Sequence, residues 1–179
     1  MNVINTRVPG VLIIEPKVFG DARGFFLESY HEQRYRDAGI DLPFVQDNHS
    51  RSQYGVLRGL HFQRTRPQGK LVRVTQGAVY DVVVDINPES ATCGEHVGVK
   101  LTADNHLQLW VPPGYAHGFC VLSDTADFQY KCTDLYFPED EGGLLWNDPD
   151  LDIAWPLESP LLSEKDLRNP RLRAVLSGE

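Results

Sequence analysis

The sequence predicts an all-β protein, a barrel or sandwich of antiparallel strands with a few short peripheral helices. Many short apolar runs follow one another at close spacing, several alternate with period two, and Gly- and Pro-rich turns separate them. The long alternation of helices and strands that a parallel α/β fold requires is missing. We expect one domain, 1–179, with a loose tail from about residue 176.

The N-terminal third supplies strand signals and one helix. Residues 11–14 form an apolar run closed by a proline, and residues 19–28 predict a turn followed by a strand. The polar stretch 31–38 predicts a short exposed helix that ends at Gly39. Residues 44–50 look extended but are unusually polar, which indicates either an edge strand or the lining of a polar cavity.

The central stretch carries a histidine, an arginine and a lysine on two strands, 56–63 and 70–74, with a Pro/Gly-containing connection between them. The next strand, 77–88, alternates so that Val79, Asp81, Val83 and Asp85 share one face. A solvated hairpin with an ordinary buried histidine would also fit the two central strands.

The C-terminal half predicts further strands and one helix. Strand patterns cover residues 97–101, 107–111, 116–122 and 126–132. The chain then becomes acidic and irregular from Glu139. A last helix is predicted from Ser163, where Ser163 and Asp166 resemble a capping box.

Composition and charge limit the possible functions. The net charge of -8 argues against nucleic-acid binding, and an anionic substrate would need a local cluster of Arg and Lys. No apolar run is long enough to span a membrane and no signal pattern opens the chain, so we expect a cytoplasmic protein. The three cysteines form no close pair, which predicts free thiols.

His61, Lys70 and His117 have a spacing similar to that of the metal-binding cupin barrels. Those proteins add a second histidine two residues after the first, but Gln63 stands there, and no carboxylate lies near Lys70. At most two histidines remain, whereas a catalytic metal needs about three protein ligands. We therefore expect no metal, and two histidines free to act as bases or hydrogen-bond donors.

Five segments, in order, resemble the dTDP-4-dehydrorhamnose 3,5-epimerases, and the similarity runs from Met1 to about Pro170. They are FGDARGFF (19–26), FVQDNHS (44–50), VLRGLHFQ (56–63), PGYAHGF (113–119) and YKCT (130–133). The resemblance implies a cupin-type jelly-roll barrel without metal or cofactor. It also implies a homodimer that acts on a dTDP-linked 4-keto-6-deoxy sugar.

Epimerisation beside a ketone needs a base, an acid on the opposite ring face and a positive group near the developing oxyanion. By resemblance, His61 is the base, Tyr130 the acid and Lys70 the positive group. The resemblance gives Asp166 as the carboxylate that orients His61, and Asp81 is a second candidate. Without the resemblance, Tyr130 would be core, Lys70 would extend to solvent and Asp166 would cap the last helix.

The resemblance also implies a set of substrate-binding residues. Arg23, Arg58 and Lys165 match positions near the nucleotide or its diphosphate, and Tyr136 offers a surface on which thymine stacks. The strands of Arg23 and Gln46 would be edge-like in one protomer, so some residues are expected to act across the dimer interface. The full set is Arg23, Glu28, Gln46, Asp47, Asn48, Arg58, Lys70, His117, Tyr136, Glu141 and Lys165.

Arg58 and His61 have opposite parity, so a regular strand would direct them to opposite faces. Either Gly59 forms a bulge that re-aims one of them, or Arg58 serves a site on the other face. The function expected from the resemblance is 3,5-epimerisation of the keto sugar nucleotide. The alternatives are a mono-epimerase, a ketoisomerase, or a non-catalytic sugar-nucleotide binding module.

Overall fold

The computed structural model describes residues 1–178 and is built mainly of antiparallel strands. The strands are β1 (Asn2–Asn5), β2 (Leu12–Glu15), β3 (Val18–Asp21), β4 (Gly24–Leu27), β5 (Gln46–Gln53), β6 (Leu57–Gln63), β7 (Lys70–Gln76), β8 (Ala78–Asp85), β9 (His96–Thr102), β10 (Gln108–Val111), β11 (Tyr115–Val121), β12 (Thr125–Cys132) and β13 (Glu141–Gly143). The helices are α1 (Glu32–Asp37) and α2 (Leu172–Ser177), and two 3₁₀ turns cover Pro138–Asp140 and Asp166–Arg168.

Two sheets enclose the main core. One has six strands in the order β1-β2-β10-β7-β12-β5, and the other has five in the order β13-β6-β11-β8-β9. Apolar side chains of both sheets meet between them, among them Val72 and Phe128 from the first sheet and Val83 and Phe119 from the second. The prediction of an all-β, antiparallel barrel or sandwich is confirmed. The hairpin β3–β4 forms a separate two-stranded sheet.

Strand β8 is buried on both faces, because each face packs against a different layer. Val79 and Val83 pack in the core between the sheets. Val82 and Val84 pack outward against apolar residues of the C-terminal segment, including Leu144, Leu151 and Leu172. Alternate residues of β8 therefore face the barrel interior and a second apolar layer, to which the C-terminal segment contributes.

Strand β5 lies at the edge of the six-stranded sheet and, within the described residues 1–178, pairs only with β12. Its burial alternates, with Gln46, Asn48, Ser50 and Ser52 more buried than the residues between them. The edge position that its polar sequence indicates is confirmed. The inward side chains of this strand form a polar wall of the barrel.

The predicted helix at 31–38 is confirmed as α1, whereas the prediction of a helix starting at Ser163 is wrong. Ser163 Oγ does accept a hydrogen bond from the Asp166 backbone amide at 3.1 Å, as in a capping box. Only one 3₁₀ turn follows, because Pro170 interrupts the segment before α2 begins.

Helix α2 extends into the region where the sequence predicts a loose tail from about residue 176. Helix α2 continues through Ser177, and Leu176 packs against the outer apolar layer. Gly178 ends the helix in the left-handed conformation, with φ of +76°. Residues 176 to 178 are thus part of the folded chain, and Glu179 lies outside the described residues.

Within residues 1–178, no helix is long and apolar enough to cross a membrane. Cys93, Cys120 and Cys132 are all free, as predicted.

Candidate active site

A cavity of about 590 Å³ lies between the two sheets and collects most of the predicted site residues. Strands β6, β7, β11, β12 and β13 contribute to its walls, and the segment 161–166 crosses its edge. The predicted residues that line it are Arg58, His61, Lys70, His117, Tyr130, Tyr136, Glu141, Lys165 and Asp166.

His61 and Asp166 form a close pair in this cavity. His61 lies on β6, and its Nε2 is 2.6 Å from Oδ1 of Asp166, which is 4% exposed. Burial acts to raise the pKa of the Asp166 carboxyl. Hydrogen bonds with His61, Ser163 and the Gly59 amide outweigh burial and hold this pKa below its ordinary value. The charged carboxylate contacts the imidazole and fixes the orientation of its ring.

Asp81, the other candidate partner of His61, contacts His117 instead. Nε2 of His117 lies 2.9 and 3.0 Å from the two oxygens of the fully buried Asp81. Burial raises the pKa of Asp81, although the nearby His117 and Lys70 act against this. His117 on β11 is the direct cross-strand neighbour of His61 on β6. The cavity thus contains two adjacent histidine–carboxylate pairs.

Lys70 and Tyr130 reach the cavity from the six-stranded sheet, opposite His61. Lys70 is the cross-strand neighbour of Cys132, and Tyr130 lies two residues earlier on β12. Burial lowers the pKa of the Lys70 ammonium, while Cys132 and the carboxylates of Asp81 and Glu141 act in the other direction. Burial raises the pKa of Tyr130, so its hydroxyl stays protonated at neutral pH and is able to donate a proton.

A bulge in β6 brings Arg58 and His61 to the same cavity. His61 pairs with His117 and Arg58 pairs with Phe119, so β6 has one more residue than β11 between these two pairings. Gly59 has φ of +127°. A Cβ on it would lie 2.6 Å from Cα of Gly118 on β11. The first of the two explanations offered for the parity of Arg58 is therefore confirmed.

Three residues form a charged rim at the cavity. The Tyr136 hydroxyl donates a hydrogen bond of 2.7 Å to Oε2 of Glu141, and the Lys165 ammonium pairs with the same oxygen. The hydrogen bond to Glu141 raises the pKa of Tyr136 to about 12. Burial acts to raise the pKa of Glu141, but the contacts with Lys165 and Tyr136 bring it below its usual value.

Arg23 and Glu28 are not brought to the cavity of the single chain. Arg23 is exposed at the turn of the β3–β4 hairpin and pairs with Asp21. Glu28 follows the hairpin and pairs with Arg34 at 2.7 Å. In the single chain, both side chains therefore lie away from the cavity.

Gln46, Asp47 and Asn48 lie on β5, beside the cavity rather than on its lining. Gln46 accepts a hydrogen bond from the backbone amide of Tyr136 at 2.9 Å and donates one to Asn48 at 3.1 Å. Asp47 points to the other face, where it pairs with Lys131 at 3.0 Å. Gln46 thus holds the Tyr136 segment, while Asp47 is directed away from the cavity.

The cavity also has lining residues that the sequence analysis missed. Ser50 is the next inward residue after Asn48 on β5, so the alternation of that strand could have identified it as a lining residue. Ser163 has no such signal, because the irregular segment that carries it has no periodicity. The apolar part of the lining comprises Val56, Leu57, Phe119, Phe128, Leu161 and Leu162.

In the described part of the chain, 1–178, no group of three or more His, Cys, Asp or Glu side chains is arranged to hold a metal ion. The cavity is lined instead by two histidines that each contact a carboxylate, a half-buried lysine and a protonated phenol. These features define an antiparallel β-barrel protein equipped for acid–base chemistry on a ligand bound between its sheets.

Comparison with known proteins identifies the family. The model of the dTDP-4-dehydrorhamnose 3,5-epimerase family matches residues 5–174. The dTDP-4-dehydrorhamnose 3,5-epimerase of Escherichia coli K12 is 58% identical over 171 residues, covering 94% of this chain and 92% of the relative. The chain belongs to the dTDP-4-dehydrorhamnose 3,5-epimerase family.

Two further relatives bear on the chemistry. The crystal structure of a dTDP-6-deoxy-D-glucose-3,5-epimerase from Legionella pneumophila in complex with dTDP-4-keto-L-rhamnose has 55% identity and a TM-score of 0.94, covering 96% of this chain and 93% of that one. A dTDP-4-dehydrorhamnose 3-epimerase from Streptomyces niveus is 41% identical over 161 residues, 89% of this chain and 78% of the relative.

Proposed function

We propose that the chain catalyses the 3,5-epimerisation of dTDP-4-dehydro-6-deoxy-D-glucose to dTDP-4-dehydro-L-rhamnose, a step of dTDP-rhamnose biosynthesis. The observation that carries the proposal is that His61 and Tyr130 face one cavity from opposite sheets. A sugar ring held between them would have a base on one face and a proton donor on the other. Inversion at a carbon requires that arrangement.

The chemistry follows from the ketone at C4. Its carbonyl group acidifies the protons on C3 and C5, because the electron pair left by either proton is delocalised into an enolate. His61 takes the proton, and Asp166 stabilises the imidazolium that forms. Lys70 faces the developing oxyanion. Tyr130 then delivers a proton to the same carbon from the other face, and both residues return to their starting state by exchange with water.

The rim and the second histidine pair are suited to holding the substrate. In this proposal Arg58 and Lys165 contact the diphosphate, and thymine stacks on Tyr136. His117, held by Asp81, presents its other ring nitrogen to the sugar. The remaining proposed contacts are Gln46, Asn48 and Glu141 of the same chain and Arg23 and Glu28 of a second copy. Asp47 is not among them, because it faces away from the cavity and pairs with Lys131.

We also propose that the active form is a homodimer. The hairpin β3–β4 exposes three aromatic side chains, since Phe19 is 53%, Phe25 64% and Phe26 70% exposed. An apolar patch of this kind is normally covered by a partner. Arg23 and Glu28 belong to the same hairpin region, so a second copy that covers it would place them at a neighbouring cavity. Sedimentation equilibrium tests the dimer.

The nearest alternative is a mono-epimerase, because the chain is also 41% identical to the Streptomyces niveus 3-epimerase. Incubation of the protein with the keto sugar nucleotide in deuterated water separates the possibilities. Deuterium at both C3 and C5 of the product supports the proposal, whereas deuterium at one carbon supports the alternative. Binding without any exchange would indicate a non-catalytic module.

The cytoplasmic location remains a prediction, which fractionation of cells would test.

A further inference from the structure

We propose that Ser52 is a positioning residue that holds the Arg58 guanidinium at the cavity with its terminal nitrogens free for the substrate diphosphate. The proposal rests on the proposed function, because it assumes that Arg58 meets the diphosphate. Arg58 Nε donates a hydrogen bond of 3.0 Å to Ser52 Oγ. Ser52 lies on β5 of one sheet and Arg58 on β6 of the other, so this bond crosses between the sheets beside the cavity.

The two residues contact each other because of local features of both strands. Ser52 is the last inward residue of β5 and only 6% exposed, so its hydroxyl is held in a fixed place. Arg58 precedes the bulge at Gly59, which leaves its exposed side chain on the cavity side of β6. A buried hydroxyl thus meets the inner nitrogen of an otherwise mobile side chain.

The remaining nitrogens of Arg58 are available. Among residues 1–178, its side chain makes no other hydrogen bond and no ion pair with a carboxylate. In contrast, Lys165 at the rim pairs with Glu141. In a chain with a net charge of -8, Arg58 is therefore an unneutralised cation at the cavity.

The geometry of the guanidinium explains why the contact through Nε matters. Of its five N–H donors, the one on Nε is occupied by Ser52, and the four on the two terminal nitrogens are left. Those two nitrogens form an edge that contacts two phosphate oxygens at once. A side chain that is already oriented loses less conformational freedom when the anion binds, so the effect is expected on affinity rather than on proton transfer.

Calorimetric titration with dTDP, together with steady-state kinetics, tests the proposal. We expect Ser52→Ala to weaken dTDP binding by about 3- to 10-fold, the effect of one ordinary hydrogen bond, and to raise KM with kcat unchanged. Ser52→Thr, which keeps the hydroxyl, restores binding. Gln53→Ala, on the outward face of the same strand, is the control and should bind dTDP like the wild-type protein.

A double-mutant cycle distinguishes positioning from a general structural role. If Ser52 acts through Arg58, then Ser52→Ala has no further effect on dTDP affinity in an Arg58→Ala background. Additive losses, or wild-type affinity in Ser52→Ala, would overturn the proposal while leaving the diphosphate contact of Arg58 intact. Unchanged affinity in Arg58→Ala would overturn both the positioning role and that contact. The deuterium experiment tests the proposed reaction separately, since dTDP binding requires no turnover.

Discussion

Replacing Asp166 with Asn removes the charge behind His61 and little else. The two side chains have nearly the same shape, and the Asn oxygen still accepts hydrogen bonds at the place where Oδ1 lies 2.6 Å from Nε2 of His61. The variant therefore isolates the effect of the carboxylate on the imidazolium that forms when a substrate proton is removed.

The size of the effect follows from the geometry of the pair. With about 4 Å between the charge centres and an effective dielectric constant of about 20, the attraction is about 4 kcal/mol. His61 has 31% of its side chain exposed, and solvent screening reduces the attraction. A remaining loss of about 2–3 kcal/mol corresponds to a decrease in kcat of about 30- to 150-fold.

The assay measures kcat and the rate at which deuterium enters C3 and C5 from deuterated water, both of which should fall together. Glu164→Gln is the matched control, because Glu164 is an exposed carboxylate two residues away that pairs only with Arg168 among the described residues. Thermal unfolding verifies that the variants fold. If folded Asp166→Asn keeps kcat and exchange within about threefold of the control, Asp166 has no role in proton removal.

Three further predictions concern the same cavity. Lys70→Met should lower kcat by about 10²- to 10³-fold, because it removes the group facing the oxyanion, with little change in dTDP affinity by calorimetry; an unchanged kcat would contradict that role. Gly59→Ala should lower the free energy of unfolding in urea by about 3 kcal/mol, since left-handed backbone strain adds to the clash with Gly118. Gly114→Ala is the control, because Gly114 also has a left-handed φ, of +89°, but open space around it. It should lose only the smaller, strain part of the unfolding free energy, and equal losses in the two variants would exclude the clash at Gly59. The Glu141 pKa is below its ordinary 4.5, so the stability that its charge contributes is present above that pH and is lost as the pH falls through the lower folded value. The unfolding free energy of Glu141→Gln should therefore decrease less than that of the wild-type protein over this acid range. Identical pH profiles of the two proteins would contradict a lowered pKa for Glu141.

Local patterns predicted most of the strands, because period-two alternation depends only on which face is buried. The polar sequence of β5 likewise indicated an edge, and β8 separated its two faces as predicted. The helix predicted from Ser163 does not form, for one local reason and one that involves a residue distant in sequence. Pro170 interrupts the segment, and the Asp166 carboxylate contacts His61 instead of the first turn of a helix.

The pairing of His61 with Asp166 could not be derived from periodicity, because 105 residues separate them in sequence. Only the resemblance to a family connected them. From the sequence, Asp81 was the second candidate, because it lies on a strand that could pair near His61. Strand register places Asp81 beside His117, whereas the path of the C-terminal segment brings Asp166 to His61. Both are properties of the assembled fold.

The bulge in β6 allows one strand to direct both the proposed diphosphate-binding Arg58 and the proposed base His61 into the same cavity. Arg58 and His61 pair with Phe119 and His117, which are two residues apart on β11 and so face the same side. The additional residue on β6 has to be accommodated where the two strand backbones lie close together. That is possible because glycines lie opposite each other: a Cβ on Gly118 would lie 2.6 Å from the Arg58 carbonyl oxygen, and one on Gly59 equally close to Gly118. The requirement for glycine at both positions therefore comes from placing a cation and a base in one cavity, and not from a turn.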